Sequence, residues 1–236
     1  MAEQNVTSST IEIAGPACAI RAFEVRPSAP GTYPGVIVIQ EWWGLNDHIR
    51  DVATRLARAG YVAVAPDLYS RQGNPVTTDP NEAGKLMTSL DKADGIADLR
   101  AVVAHLQRAA GVRHDRLGVI GFCMGGSYAL LLACESPDIR AAAPFYGEIP
   151  PTETLRQLRC PLRYFYGDQD GWIQLSDVER LRSTVRQLSK PGEVMIYPGV
   201  PHAFFNDTRK DVYHAAQAQD AWTRTLSLFS DELQRP

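Results

Sequence analysis

Gly121-Phe122-Cys123-Met124-Gly125 follows directly on the apolar run Leu117-Gly118-Val119-Ile120, so a thiol lies between two glycines where a buried strand must turn into a helix. In a G-x-nucleophile-x-G arrangement the glycines allow a sharp strand-to-helix turn that lifts the central side chain clear of the sheet. Gly126 extends the tract of small residues into the helix. The thiol then stands at the positive end of a helix, which favours its ionised form. A core cysteine is the competing reading, since free Cys is often buried. The glycine frame decides for a nucleophile at Cys123. Such a nucleophile needs a base to take its proton and a carboxylate to hold that base in the right tautomer.

Five histidines compete for the base. His48 reads as part of a helix first turn, His105 and His214 as helix interior, and His114 as a polar loop. Only His202 follows a predicted strand, on the turn Pro198-Gly199-Val200-Pro201 after Val194–Tyr197. Catalytic residues of open α/β sheets collect at such strand carboxyl ends. The acid is expected after the preceding strand, where Tyr166-Gly167-Asp168-Gln169-Asp170-Gly171 offers two aspartates. Asp170 lies far enough beyond the strand to reach the histidine loop, while Asp168 is placed to satisfy backbone donors of its own turn. The order Cys123, Asp170, His202 agrees with that of α/β-hydrolase triads and not with chymotrypsin-like or subtilisin-like orders.

The elements that must position these groups alternate β-branched runs with amphipathic helices, the pattern of a mostly parallel sheet with helices on both faces. Ile11–Ile13 and Cys18–Val25 read as an opening hairpin, and Gly35–Ile39 as a strand buried on both faces. Asn46 is placed to cap the next helix. Tyr61–Ala65, Leu117–Ile120, Ala141–Phe145, Leu162–Tyr166 and Val194–Tyr197 supply further strands. Val178, Leu181, Val185 and Leu188 form one helical stripe and Trp222, Leu226, Phe229 and Leu233 another, both read as core. No boundary is marked, so residues 1–236 read as one α/β domain. Segment 70–90, with the loop Asn74–Pro80, is the candidate for a small lid.

A net charge of -3 and 44% hydrophobic residues give no electrostatic footprint for nucleic acid, and a small molecule is the expected partner. Met1–Thr10 is polar, and the apolar run Tyr128–Cys134 is too short to span a bilayer. A cytoplasmic protein, monomeric or a weak homodimer, is expected. Cys18, Cys123, Cys134 and Cys160 lack C-x-x-C spacing, so neither a zinc site nor a disulfide framework is suggested. No metal and no cofactor are called for.

The chain resembles the dienelactone hydrolase (carboxymethylenebutenolidase) family of cysteine α/β hydrolases over nearly its whole length. The resemblance is carried by Gln40-Glu41, Ala65-Pro66-Asp67-Leu68-Tyr69, Gly121–Gly126, Phe145-Tyr146-Gly147, Gly167-Asp168-Gln169-Asp170 and His202-Ala203-Phe204. It implies an ester or lactone hydrolase acting through an acyl-Cys123 intermediate. It further implies that Glu41 contacts the resting thiol and receives its proton. The oxyanion donors it implies are the backbone N–H groups of Trp42 and Met124. Members specialised for dienelactone grip its carboxylate with two arginines; the matching positions here are Asn206 and about Pro80, and aromatics of that region correspond to Gly84 and Met87. An amide offers no charge and weaker donors than a guanidinium fork, so a broader esterase is expected. The pocket is expected to draw on Trp42, Trp43, Tyr69, Tyr146, Trp172, Phe204 and Asn206, with Arg71, Lys85, Arg209 or Lys210 as sources of a cation. Two other readings compete: a binding protein on a hydrolase scaffold, and a thiol redox protein using Cys123. The complete Cys-Asp-His set argues against the first, and the lack of an evident resolving cysteine against the second.

Overall fold

The computed structural model describes residues 4–189 and 192–235. The chain forms two compact units, Met1–Gly118 and Val119–Pro236. The fold class is the α/β class read from the sequence, built on an eight-stranded, mostly parallel sheet. One strand, β5 (Val112–Phe122), belongs to both units, its last four residues lying in the second.

In the first unit β1 (Val6–Ala14) and β2 (Ala19–Pro27) form an antiparallel hairpin, Val6 opposite Pro27 and Ala14 opposite Ala19. The hairpin is longer than the sequence suggests. Val6–Thr10 reads as a polar tail, yet it is strand, because its exposed side chains face solvent at the sheet edge while the backbone pairs with β2. β4 (Val62–Pro66) pairs antiparallel to β2 and parallel to β3 (Tyr33–Ile39). Consecutive residues of β3 and β4 are buried, which requires cover on both faces and explains their unbroken apolar sequences. The order across this unit is β1-β2-β4-β3-β5. Helix α1 (Asp47–Arg58) starts at Asn46, whose side chain accepts from the Ile49 N–H at 3.2 Å. It packs on β2, β3 and β4.

Most of segment 70–90 is helical. A 3-10 turn (Ser70–Gln72) is followed by α2 (Pro80–Ser89), with Asp79 at its N-cap, and then by α3 (Lys92–Arg108). The stretch between turn and helix is anchored, since Thr77 N–H donates to Trp43 O at 3.0 Å. His105 lies in α3 as expected, but His114 is within β5 rather than in a loop.

The second unit continues the order β5-β6-β7-β8. β6 (Ile139–Phe145), β7 (Leu162–Gly167) and β8 (Gly192–Tyr197) run parallel, with Leu162 opposite Gly192 and Gly167 opposite Tyr197. α4 (Met124–Glu135) packs on β6, the short α5 (Thr152–Leu155) on α6 (Leu175–Gln187), α6 on β8, and α7 (Ala215–Phe229) on β7 and β6. The α6 stripe is core through Val178, Leu181 and Val185, with Leu188 half-buried past the helix end. The α7 stripe is displaced: Ala218, Ala221, Thr225, Leu228 and Phe229 are buried, whereas Trp222 and Leu226 are only half-buried. Phe229 and Leu233 of the expected stripe are fully buried, and towards the start of the helix the buried face shifts from Trp222 to the small residues Ala218, Ala221 and Thr225. His214, expected inside this helix, is its N-cap residue.

Candidate active site

All three groups of the expected triad lie in the second unit. β5 ends at Phe122 and α4 begins at Met124, leaving Cys123 as the hinge with φ 55° and ψ -119°. A non-glycine residue rarely adopts such angles, and the strain is on the order of 1–3 kcal/mol. The surrounding backbone enforces it. Cys123 N–H donates to Phe145 O, the last residue of β6, at 3.1 Å. A Cβ on Gly121 would fall 2.0 Å from Gly125 O, and one on Gly126 would fall 2.3 Å from Phe145 O, so the turn closes only around bare glycines. Met124, first residue of α4, is at the helix end where main-chain N–H groups lack intrahelical acceptors.

Ser127 reinforces the turn. Its hydroxyl donates to Cys123 O at 3.4 Å and accepts the Glu148 N–H at 2.7 Å. Sequence reading does not single it out. The only signal is a hydroxyl four residues after the nucleophile, a spacing that places it over the preceding helical turn.

Asp170 and His202 meet across two loops. The imidazole Nδ1 is 2.7 Å from Asp170 Oδ2, and the aspartate side chain is fully shielded from solvent. Its other oxygen, Oδ1, accepts the N–H groups of Trp172 at 2.7 Å and Ile173 at 3.0 Å, so the carboxylate is fixed at both oxygens. Tyr166 steadies the same loop by donating its hydroxyl to Ile173 O at 2.9 Å. Asp168 is elsewhere: its Oδ1 accepts the Gly199 N–H at 2.7 Å and the Gln169 amide at 3.1 Å. Its position in the sequence predicts donors of its own turn, of which only the Gln169 side-chain amide is found among the described residues. The main acceptor contact instead crosses to the histidine loop.

His202 Nε2 is buried and makes no hydrogen bond of ordinary geometry. Burial works against a charged ring, but the Asp170 hydrogen bond and then the Cys123 sulfur outweigh it and raise the imidazole pKa to about 10. A folded-state value above the unfolded one, about 6.5, stabilises the protein fully below that pH and loses its contribution as pH rises toward 10. Comparing wild type with His202→Gln by chemical denaturation should show a stability difference that is largest near pH 6 and shrinks steadily towards pH 10. A difference that grows with pH would contradict this linkage.

Aromatic residues frame the histidine. Tyr146, fully buried with φ 39°, packs edge-on at 5.0 Å between ring centroids, and Trp172, 63% exposed, lies at 6.2 Å. Phe204 is buried among Phe145, Tyr146 and Tyr197, which places it in the core under the site. Asn206 is also buried, with its Oδ1 accepting from the backbone and hydroxyl of Thr208 at 3.1 and 2.6 Å. Arg209 pairs with Asp211, and Lys210 is exposed. Cys134 is buried, which pushes its thiol up to about 12, and Cys160 is buried before β7.

The remaining expected site residues lie in the first unit. Gln40 and Glu41 are buried where β3 ends, and Gln40 Oε1 accepts the Leu68 N–H at 3.3 Å. The rings of Trp42 and Trp43 meet at 4.9 Å, and the buried Tyr69 donates its hydroxyl to Trp42 O at 2.9 Å. Helix α2 sets Gly84 beside Trp42: a Cβ there would stand 4.0 Å from the indole. Arg71 forks onto the buried Asp98 at 2.7 and 3.1 Å, which commits its guanidinium to a structural ion pair. Lys85 is exposed on α2. Among the described residues, no group of three or more His, Cys, Asp or Glu is arranged to hold a metal ion. No helix among them is long and apolar enough to cross a membrane.

A Synechocystis sp. protein named "Putative carboxymethylenebutenolidase" is 37% identical over 229 residues, covering 91% of this chain and 92% of its own. A Bradyrhizobium sp. protein named "Probable 2-oxo-3-(5-oxofuran-2-ylidene)propanoate lactonase" is 34% identical over 237 residues, covering 96% and 95%. Among solved structures, a Klebsiella pneumoniae protein described as a "Putative Dienelactone Hydrolase" superposes with a TM-score of 0.89 at 33% identity, covering 96% of this chain and 99% of that one. The family model for dienelactone hydrolases matches residues 20–233. The chain is a carboxylic ester hydrolase and belongs to the dienelactone hydrolase family.

Proposed function

We propose that the chain hydrolyses small carboxylic esters and lactones through an acyl-Cys123 intermediate, with a broader range than enzymes specialised for dienelactone. The observation that carries the mechanism is the 2.7 Å contact between Asp170 and His202 Nδ1, which leaves Nε2 as the working nitrogen, in the same unit as a thiol held on a strained turn. His202 takes the thiol proton at Nε2, and the thiolate sulfur bonds to the carbonyl carbon as the carbonyl π pair moves to oxygen. The oxyanion pair returns, the carbon–oxygen single bond breaks, and His202 delivers its proton to the departing alkoxide. In a lactone that alcohol stays tethered to the acyl group. Water then attacks the thioester, again giving its proton to His202, and collapse frees the acid and expels the sulfur, which takes that proton back from His202.

Met124 N–H is the oxyanion donor on the helix side. The family resemblance assigns the second donor to Trp42. One lost donor of this kind costs about 2.7–4 kcal/mol. Trp172 is the solvent-facing aromatic wall beside the histidine, whereas Tyr146 and Phe204 support it from the core of the same unit.

The substrate range follows from the charges. Arg71 is held by Asp98, Arg209 by Asp211, and Asn206 by Thr208, so none of the three is presented as a carboxylate clamp. A charge-assisted hydrogen bond contributes roughly 1.5–3 kcal/mol, or about ten- to a hundredfold in rate. The preference for dienelactone over p-nitrophenyl acetate, measured as the ratio of kcat/KM, should therefore stay below about a hundredfold. A preference of several thousandfold would show a carboxylate clamp and refute the broad range.

A further inference from the structure

We propose that Asp168 is a positioning residue for His202, acting by clamping the loop that carries it; the proposal rests on the acyl-cysteine reading above. β8 ends at Tyr197 and the imidazole follows five residues later, across Pro198, Gly199, Val200 and Pro201. Two of those four are prolines and have no N–H. Only Gly199 and Val200 carry donors, and Gly199, at φ 71°, is exposed at the loop tip.

Three hydrogen bonds join this stretch to the loop holding the catalytic acid. Asp168 N–H donates to Tyr197 O at 3.0 Å and Gln169 N–H to Val200 O at 3.0 Å, both through the main chain. The third, from Gly199 N–H to Asp168 Oδ1 at 2.7 Å, is the one a side chain supplies. The approach is tight, since a Cβ on Gly167 would fall 2.1 Å from Val200 O. Asp168 is half-buried, so its acceptor role is not simply surrendered to solvent. Asp170, two residues on, holds His202 Nδ1. Asp168 and Asp170 thus divide one task, one fixing the loop and the other the ring. Asp168 itself touches no reacting atom.

Misplacement of a catalytic group by about 1 Å can lower rate up to about 100-fold. Asp168→Ala should lower kcat for p-nitrophenyl acetate about 10- to 100-fold with KM within about threefold of wild type, because binding surfaces are untouched. Asp168→Asn keeps an oxygen to accept the Gly199 N–H and should retain kcat within about threefold. That rescue separates positioning from a general loss of fold, which circular dichroism checks in each variant. Should the alanine variant not fold, Asp168→Ser, polar but too short to span to Gly199, should show the same loss of kcat. Unchanged kcat in the folded alanine or serine variant, or an asparagine variant as impaired as they are, overturns the proposal. Cys123→Ala run in parallel keeps the two readings apart. Turnover surviving there defeats the acyl-cysteine mechanism, whereas its loss together with a fully active Asp168→Ala defeats only the clamp.

Discussion

Cys123→Ala should reduce ester turnover by about 10⁴-fold or more, the scale seen when a nucleophile is removed from an acyl-transfer triad. The effect is chemical and not structural. Alanine fits the same φ 55° turn at least as well as cysteine, and the backbone bond from residue 123 to Phe145 O survives. Gly121 and Gly126 hold the elbow whatever the central side chain. Cys123→Ser is the informative companion: it keeps a hydroxyl at the turn but replaces an intrinsically strong nucleophile by a weak one that depends wholly on His202 for activation. Turnover should fall strongly there too, while thermal stability and circular dichroism match wild type. Initial rates with p-nitrophenyl acetate across enzyme concentration are the measurement, and a Cys123→Ala protein within tenfold of wild type would contradict the assignment.

Asp170→Asn should lower kcat by about 10⁴-fold with little change in KM, by altering the tautomer of the base and not its place. The amide is nearly isosteric and its oxygen can still accept from Trp172 and Ile173. The atom facing His202 becomes an N–H donor, which places the imidazole proton on Nε2 and removes the lone pair that must accept a proton from sulfur. His202 also loses the first of the two interactions that raise its pKa. Kinetics and a crystal structure of the variant check this together: an intact loop with lost kcat is expected, and a loss below tenfold would show that Asp170 is not the orienting acid.

Much of the candidate site is legible because Cys123, Asp170 and His202 each follow a strand carboxyl end, where apolar runs stop abruptly at glycine-containing turns. The choice of Asp170 over Asp168 rested on reach, and the 2.7 Å contact to His202 is the geometry that reach implied. The partner of Asp168 was not legible. Its oxygen bonds a backbone N–H 31 residues away, and nothing in a local turn pattern reports a long-range backbone donor. Arg71 shows the same limit, since its commitment to Asp98 depends on how the 3-10 turn meets α3. β1 was under-read for a different reason. An edge strand with exposed side chains carries little apolar periodicity, and pairing with β2 is what fixes it. On α7 the buried face is centred on Ala218, Ala221 and Thr225, small residues that a search for large apolar ones passes over.

The covalent intermediate is the claim on which the mechanism stands, and mass spectrometry tests it most directly. Wild-type protein mixed with excess p-nitrophenyl acetate, quenched in acid within the first turnovers and digested, should carry one acetyl group on the peptide containing Cys123. Cys123→Ala should carry none. Full turnover with an acetyl group fixed on another side chain, or with Cys123 still open to alkylation throughout, would contradict the account.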